Sequence, residues 1–389
     1  MSRFEIYLLT IGAFLAVTAE LMLIGVTDLV SQDLDVPISF TGHLVTAYAL
    51  AFAFGAPIVI TMSASLERKK VMLTAFFFFI LANLLSAWSP NFTVLIFARA
   101  ILGLSGGVFV VVAMGAVSKL VRPEKVGSAI GTIVMGLSGS LVFGVPLGIV
   151  LSGWLNWQLA FGAIALLGVS IWIGILFMIP TVPGGASIPF QQHFSVFKDK
   201  KIISGFLITL FVSAGSQTVY TFLTPLLQKT AQMNTWTISI TMLILGIFSM
   251  IGSRLGGLST DRFGVAKTVY VSLMIHSITL LFLPVLKESI VTTVFVLSIW
   301  TCFNWMASPA IQTYFVQLAP KNPDLAISLN TSVNQLGIAL GATLGGWVIN
   351  STGDVMNTAW VGGLIVLLAI SISGITFSTQ TKKQSVSND

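Results

Sequence analysis

Charge is the scarcest thing in this chain. Only 8% of its 389 residues are Asp, Glu, Lys or Arg, against roughly a quarter in ordinary soluble domains. With 55% hydrophobic residues and a mean hydropathy of +0.96, that scarcity excludes a soluble domain and specifies an integral membrane protein. Cysteine is nearly missing too. The single Cys302 excludes an intramolecular disulfide and any multi-cysteine metal site, and its apolar surroundings read as a buried structural thiol. No phosphate-cradling loop, metal-ligand spacing or nucleophile–base constellation occurs, so the residues offer neither an enzyme nor a cofactor site. No small-residue cleavage site follows the first apolar run, which is expected to stay as a membrane helix.

What the chain has in plenty is apolar length. Twelve stretches can cross a bilayer as helices, near 6–29, 41–63, 71–88, 92–118, 127–152 and 157–179, then 202–227, 235–258, 268–286, 290–318, 325–350 and 355–378. The expected fold is all-α and integral to the membrane. Six helices lie in residues 1–179 and six in 202–389. A cytoplasmic linker, 180–201, joins them and holds Pro183, Gly184, Gly185, Lys198, Lys200 and Lys201.

Of the 19 Lys and Arg residues, an N-terminus-inside orientation puts sixteen at the cytoplasmic face, only Lys229 and Lys287 outside, and leaves Arg99 within the membrane. The net charge of +6 is therefore a topology signal with anionic lipid as its natural partner, and nucleic acid is not expected. A constant offset of 197 residues carries Gly55 to Gly252, Lys70 to Lys267, Pro123 to Pro320, Gly144 to Gly341 and Gly148 to Gly345. The two halves are thus parallel repeats.

Against this background the intramembrane charges stand out. Glu20 is a lone acid in the middle of the first stretch, where insertion costs about 2.5–3.5 kcal/mol. Asp28 follows eight positions on, on nearly the same helical face. At 1.5 Å per residue, Glu20 lies about 13 Å below the outer surface and Arg99 about 10 Å below it, level enough to interact. An arginine keeps a neighbouring acid ionised while desolvation works the other way, so small movements can load or release a proton. Glu20 is the candidate proton carrier, Arg99 its tuner, and Asp28 a relay or an attractor of cations. A static structural ion pair is the competing reading.

Polar and aromatic residues in the second half are candidates for a substrate cavity: Gln217, Tyr220 and Thr221, then Trp300, Asn304 and Trp305, then Asn330 and Asn334. Aromatics with amides suit a flat, partly polar organic ligand. Each is also a candidate for interhelical hydrogen bonding or packing.

Three motifs carry a resemblance. Gly257 to Gly264, reading GLSTDRFG and followed by Lys267, is similar to the cytoplasmic signature of the major facilitator superfamily, with Asp261, Arg262 and Gly264 as the expected latch. The equivalent first-half loop has Ala64 and Ser65 at the Asp and Arg positions, leaving Glu67 as a weak substitute. Gly144-Val-Pro146-Leu-Gly148, near Gly139 and Gly153, looks like the glycine–proline motif of exporters in that superfamily. The ladder Gly337, Gly341, Gly345, Gly346 answers it in the eleventh stretch, and the two helices are expected to meet between halves. Arg99 with Gly103, Gly106 and Gly107 resembles the arginine–glycine motif associated with proton coupling.

The whole chain resembles bacterial twelve-helix exporters of the drug:proton antiporter type, most closely the arabinose-efflux-like and purine efflux branch. The stretch from Leu44 through Tyr48 to Leu50, Gly55-Ala-Pro57, and Pro309 with Ile311-Gln312 add to that impression. The resemblance implies a major facilitator fold of two pseudo-symmetric six-helix halves in a bacterial cytoplasmic membrane, with both termini inside. It implies export of drugs, purine bases or nucleosides as a monomer, with the proton gradient as energy source. A proton-driven importer or facilitator of the same fold is the alternative.

Overall fold

A computed structural model describes residues 3–121, 126–154, 156–184, 200–285, 289–318 and 323–386. The first half forms α1 (Arg3–Asp33), α2 (Ile38–Met62), α3 (Arg68–Ala87), α4 (Phe92–Leu120), α5 (126–154) and α6 (Trp157–Met178). The second forms α7 (Lys200–Tyr220, continued by a short helix, Leu223–Ala231), α8 (Thr235–Phe263), α9 (Val265–Phe282), α10 (Ile290–Leu318), α11 (Pro323–Thr352) and α12 (Asn357–Val386). Eleven of these are apolar and long enough to cross a membrane by composition. The twelfth, α11, has the length, and Asn330, Asn334 and Gln335 lower its hydropathy. Arg122, Pro123, Lys125, Lys198, Lys287, Pro320 and Lys321 lie outside the described residues, as does most of the linker.

Short-range chemistry sets the helix starts. Asn91 and Asn156 accept backbone hydrogen bonds from Val94 and Leu159, and Asn234 does the same for Thr237, satisfying donors that α4, α6 and α8 leave open. Two helices carry a π turn at matched places. In α2 it spans Ala51–Gly55, just before Ala56-Pro57, and in α5 it spans Ser140–Gly144, just before Val145-Pro146. A proline within a helix removes a donor and crowds the carbonyl four residues back, and widening the preceding turn by one residue relieves that crowding.

The chain forms two compact units, Met1–Pro189 with Asn234–Leu243, and Phe190–Met233 with Ile244–Asp389. Within the first, the start of α8 packs on α5: Ser239 donates to the Pro146 carbonyl at 3.2 Å, and the Thr235 methyl lies against Gly153. Large apolar side chains such as Trp88, Phe97, Phe177 and Ile375 are exposed, as lipid-facing residues must be when no water is present to repel them.

Small residues let the helices approach. In the first unit Gly136, Gly144 and Gly148 of α5 seat on Thr10, Thr18 and Met22 of α1. In the second, a Cβ at Gly337 or Gly345 of α11 would lie 2.7 Å from the carbonyls of Leu210 and Thr218 on α7, and Gly341 abuts the Ala214 carbonyl. The α11 ladder, expected at the junction of halves, is therefore spent inside the second unit. The reason is close backbone contact in the absence of a hydrophobic drive between membrane helices. The repeat is visible in three dimensions, with α5 on α1 as α11 is on α7.

Candidate functional site

The first unit brings Arg99, Glu20 and an unforeseen third residue, Tyr48, together at a junction of α1, α2 and α4. Arg99 is fully buried. Its guanidinium donates Nη1 to the Ala19 carbonyl at 2.7 Å and Nη2 to the Glu20 carbonyl at 3.2 Å, while Nε reaches the Leu44 carbonyl on α2 at 3.5 Å. The planar fork suits this task, because five donors on a rigid frame can serve acceptors on two helices at once. The Arg99 carbon Cζ lies 4.9 Å from the centre of the Tyr48 ring, a cation–π distance. Tyr48 is 2% exposed, and its hydroxyl donates to the Glu20 side chain.

The glycines of the arginine motif explain why α4 and α2 come so close. Four residues beyond Arg99, Gly103 abuts the Tyr48 carbonyl, and four further on a Cβ at Gly107 would lie 2.7 Å from the Phe52 ring. Leu104 fills the space that a side chain at Gly55 would need. One face of α4 is thus cut to fit α2 from Leu44 to Gly55. Asp28, two turns along α1 from Glu20, is buried. Asp33, at the end of α1, accepts from Trp157 Nε1 at 3.1 Å and from Gln158 Nε2, tying α1 to the start of α6.

The second unit treats its polar candidates differently. Asn330 accepts from Thr209 at 2.6 Å, and Asn334 accepts from Ser213 four residues along the same two helices. These amide oxygens join α11 to α7. Gln217 donates to Thr221 at 3.0 Å within its own helix, and Thr221 is fully buried. Asn304 accepts from Ser216 at 2.7 Å, and Ser216 also lies 3.5 Å from His276 Nε2. Trp300 is buried between Tyr220 and His276, with ring centres 6.1 Å away on each side. Its Nε1 and the His276 Nδ1 have no partner among the described residues. Gln217, Tyr220, Asn304, Trp305 and Asn334 are half-buried and remain accessible in part.

The 197-residue offset sharpens the contrast between the halves. It carries Glu20 to Gln217, Tyr48 to Leu245 and Arg99 to Val296. Gly55, Gly144 and Gly148 recur at Gly252, Gly341 and Gly345, whereas Glu20, Tyr48 and Arg99 do not.

At the turn between α8 and α9, Asp261, Arg262 and Gly264 are exposed, and Arg262 Cζ lies 5.2 Å from the Phe263 ring centre. Gly264 has φ +83° and donates to the Thr260 carbonyl at 2.9 Å, a conformation that favours glycine. In the matching first-half loop Glu67 pairs with Lys70 at 3.4 Å. There Val182 is buried, and its carbonyl accepts from Arg68 N at 2.8 Å, so the chain leaving α6 returns to pack on this loop.

Tyr48 as a partner of Glu20 was missed by sequence reasoning, where the available signal was its place within the second apolar stretch.

Comparison with known proteins matches the Major Facilitator Superfamily profile to residues 9–341. The chain is 34% identical over 382 residues to the uncharacterized MFS-type transporter YbcL of Bacillus subtilis (strain 168), covering 98% of each chain. It is 26% identical to a chloramphenicol resistance protein of Streptomyces lividans, covering 95% of each. Among solved structures it is similar to a bacterial homolog of the human lysosomal transporter Spinster in an inward-facing, unoccupied conformation. That match has a TM-score of 0.85 at 16% identity, and covers 98% of this chain and 99% of that one.

Proposed function

Because the chain belongs to the Major Facilitator Superfamily, and is a multi-pass membrane transporter and no enzyme, we propose that it exports small organic molecules in exchange for protons. The observation that carries this reading is the Glu20–Tyr48–Arg99 junction: an intramembrane acid held beside a buried cation in the half that alone keeps all three residues. Ionisable groups at such depth are costly, and reversible loading with a proton gives that cost a purpose. One proton moving inward contributes about 2.3 kcal/mol per 100 mV of membrane potential, enough to drive appreciable accumulation. Asp28 is the proposed relay toward the outer face.

Export is supported by Gly144-Val-Pro146-Leu-Gly148, whose glycines seat on α1 while Pro146 follows a π turn, and by the name of the resistance protein among the relatives. The proposed substrates are purine bases or nucleosides, or hydrophobic cations. Their contacts would come from the partly accessible Gln217, Tyr220, Asn304, Trp305 and Asn334. Asp261, Arg262 and Gly264 are the proposed cytoplasmic latch. We place both termini in the cytoplasm of a bacterial cell and take a monomer as sufficient.

The test is proton release from purified protein on adding purines, nucleosides or ethidium, wild type against Glu20→Gln. Release that vanishes in the variant supports antiport; ligand binding without release in either protein sinks it. Proton-driven uptake in vesicles, unaffected by Pro146→Ala, would establish the importer reading instead.

A further inference from the structure

Tyr48 is enclosed on several sides. It is 2% exposed, its carbonyl abuts Gly103, and its hydroxyl oxygen would sit 3.3 Å from a Cβ at Gly106. Its ring lies beneath the Arg99 guanidinium. The hydroxyl reaches α1 at the Glu20 side chain, one turn beyond Ala16, whose methyl lines the same space. Two torsions position a phenol, and here both are held by packing on α4.

The chemistry of the hydroxyl matters as much as its place. A carboxylate only accepts hydrogen bonds, whereas a carboxylic acid must also donate one. Arg99 has donors and no acceptor, so it cannot take the hydrogen bond that the acid's O–H must donate. The Tyr48 oxygen can do both: it donates to the carboxylate and, after rotation about one C–O bond, accepts from the acid. The second half lacks the acid and the arginine, and carries Leu245 at the position matching Tyr48.

We propose that Tyr48 is the positioning residue for Glu20, holding its carboxyl group beside Arg99 and supplying a hydrogen bond in both protonation states. This rests on the reading that Glu20 takes up and releases the coupled proton. The phenol keeps one geometry through the cycle, so a proton enters or leaves without either state stranding a buried polar atom. Loss of the hydroxyl removes the bond to both states and leaves the ring, its packing and its cation–π contact in place.

The test is infrared difference spectroscopy of the purified full chain between acid and alkaline pH, which needs no transported ligand. Wild type, Glu20→Gln and Tyr48→Phe are compared. A protonated-carboxyl band present in wild type and absent in Glu20→Gln belongs to Glu20. In Tyr48→Phe that band is expected to persist, move to higher frequency because its O–H has lost an acceptor, and titrate at a midpoint raised by about one pH unit, since the bond to the carboxylate is the stronger of the two lost. A band unchanged in frequency and midpoint overturns the proposal while leaving Glu20 as the carrier. If no band is lost in Glu20→Gln, Glu20 does not titrate, and the coupling reading falls with this one. Should Tyr48→Phe fail to fold, 3-fluorotyrosine at position 48 preserves the fold and strengthens the donor. The titration midpoint must then fall, opposite to the rise expected for Phe, and no movement is a refutation.

Discussion

The most demanding prediction concerns Arg99→Lys, which keeps a positive charge and removes the fork. In the native junction the guanidinium reaches the carbonyls of Ala19 at 2.7 Å and Glu20 at 3.2 Å on α1 and of Leu44 at 3.5 Å on α2. A lysine ammonium is a single point and cannot serve α1 and α2 together. Hydrogen bonds to charged groups contribute about 1.5–3 kcal/mol each, and stranding a buried acceptor adds to the loss. The substitution is therefore expected to cost about 2–4 kcal/mol. A neutral interhelical bond in a membrane averages only about 0.6 kcal/mol, so Thr209→Val, which removes the Thr209–Asn330 bond, supplies the scale. Cys302, the one cysteine of the chain, is 7% exposed and reports unfolding through a thiol-reactive maleimide dye. Arg99→Lys must lower the apparent melting temperature several times more than Thr209→Val. Equal shifts, or melting of Arg99→Lys with wild type, would refute the idea that the fork joins two helices.

Other outcomes follow from the same geometry. Gly341→Ala drives a methyl into the Ala214 carbonyl and is expected to destabilise by about 1–3 kcal/mol. Gly115→Ala, with nothing within 4 Å of the new Cβ, should be neutral or gain up to about 1 kcal/mol; the reverse order in the dye assay would refute the packing described for α7 and α11. Gly264→Ala forces a side chain onto φ +83° with open space around it, so a loss of about 1–3 kcal/mol must come from backbone strain alone, and unchanged melting would show that the turn has another conformation. Asn330→Ala should lower stability yet leave ethidium or adenine binding within about twofold, since the Asn330 oxygen is engaged by Thr209; calorimetry showing a tenfold loss would return Asn330 to the ligand contacts.

The sequence by itself determined that the chain crosses a membrane, roughly where each helix runs, and that the halves repeat. Those properties are legible because a bilayer demands long apolar runs and makes every intramembrane charge expensive, so Glu20 and Arg99 stand out from one-dimensional reading. Even their common depth followed from the rise per residue, and the structure brings Arg99 to the Glu20 carbonyl at 3.2 Å.

What only the tertiary structure decided is rotation: which neighbour each face of a helix meets. Tyr48 could have faced lipid, and the Gly337–Gly345 ladder could have faced α5 instead of α7. Asn330 could have turned to a ligand instead of Thr209. A soluble helix declares its buried face by alternating apolar and polar residues. A membrane helix is apolar toward both lipid and protein, so periodicity carries little of that information. The decision falls to close packing and a few hydrogen bonds between residues far apart in the chain.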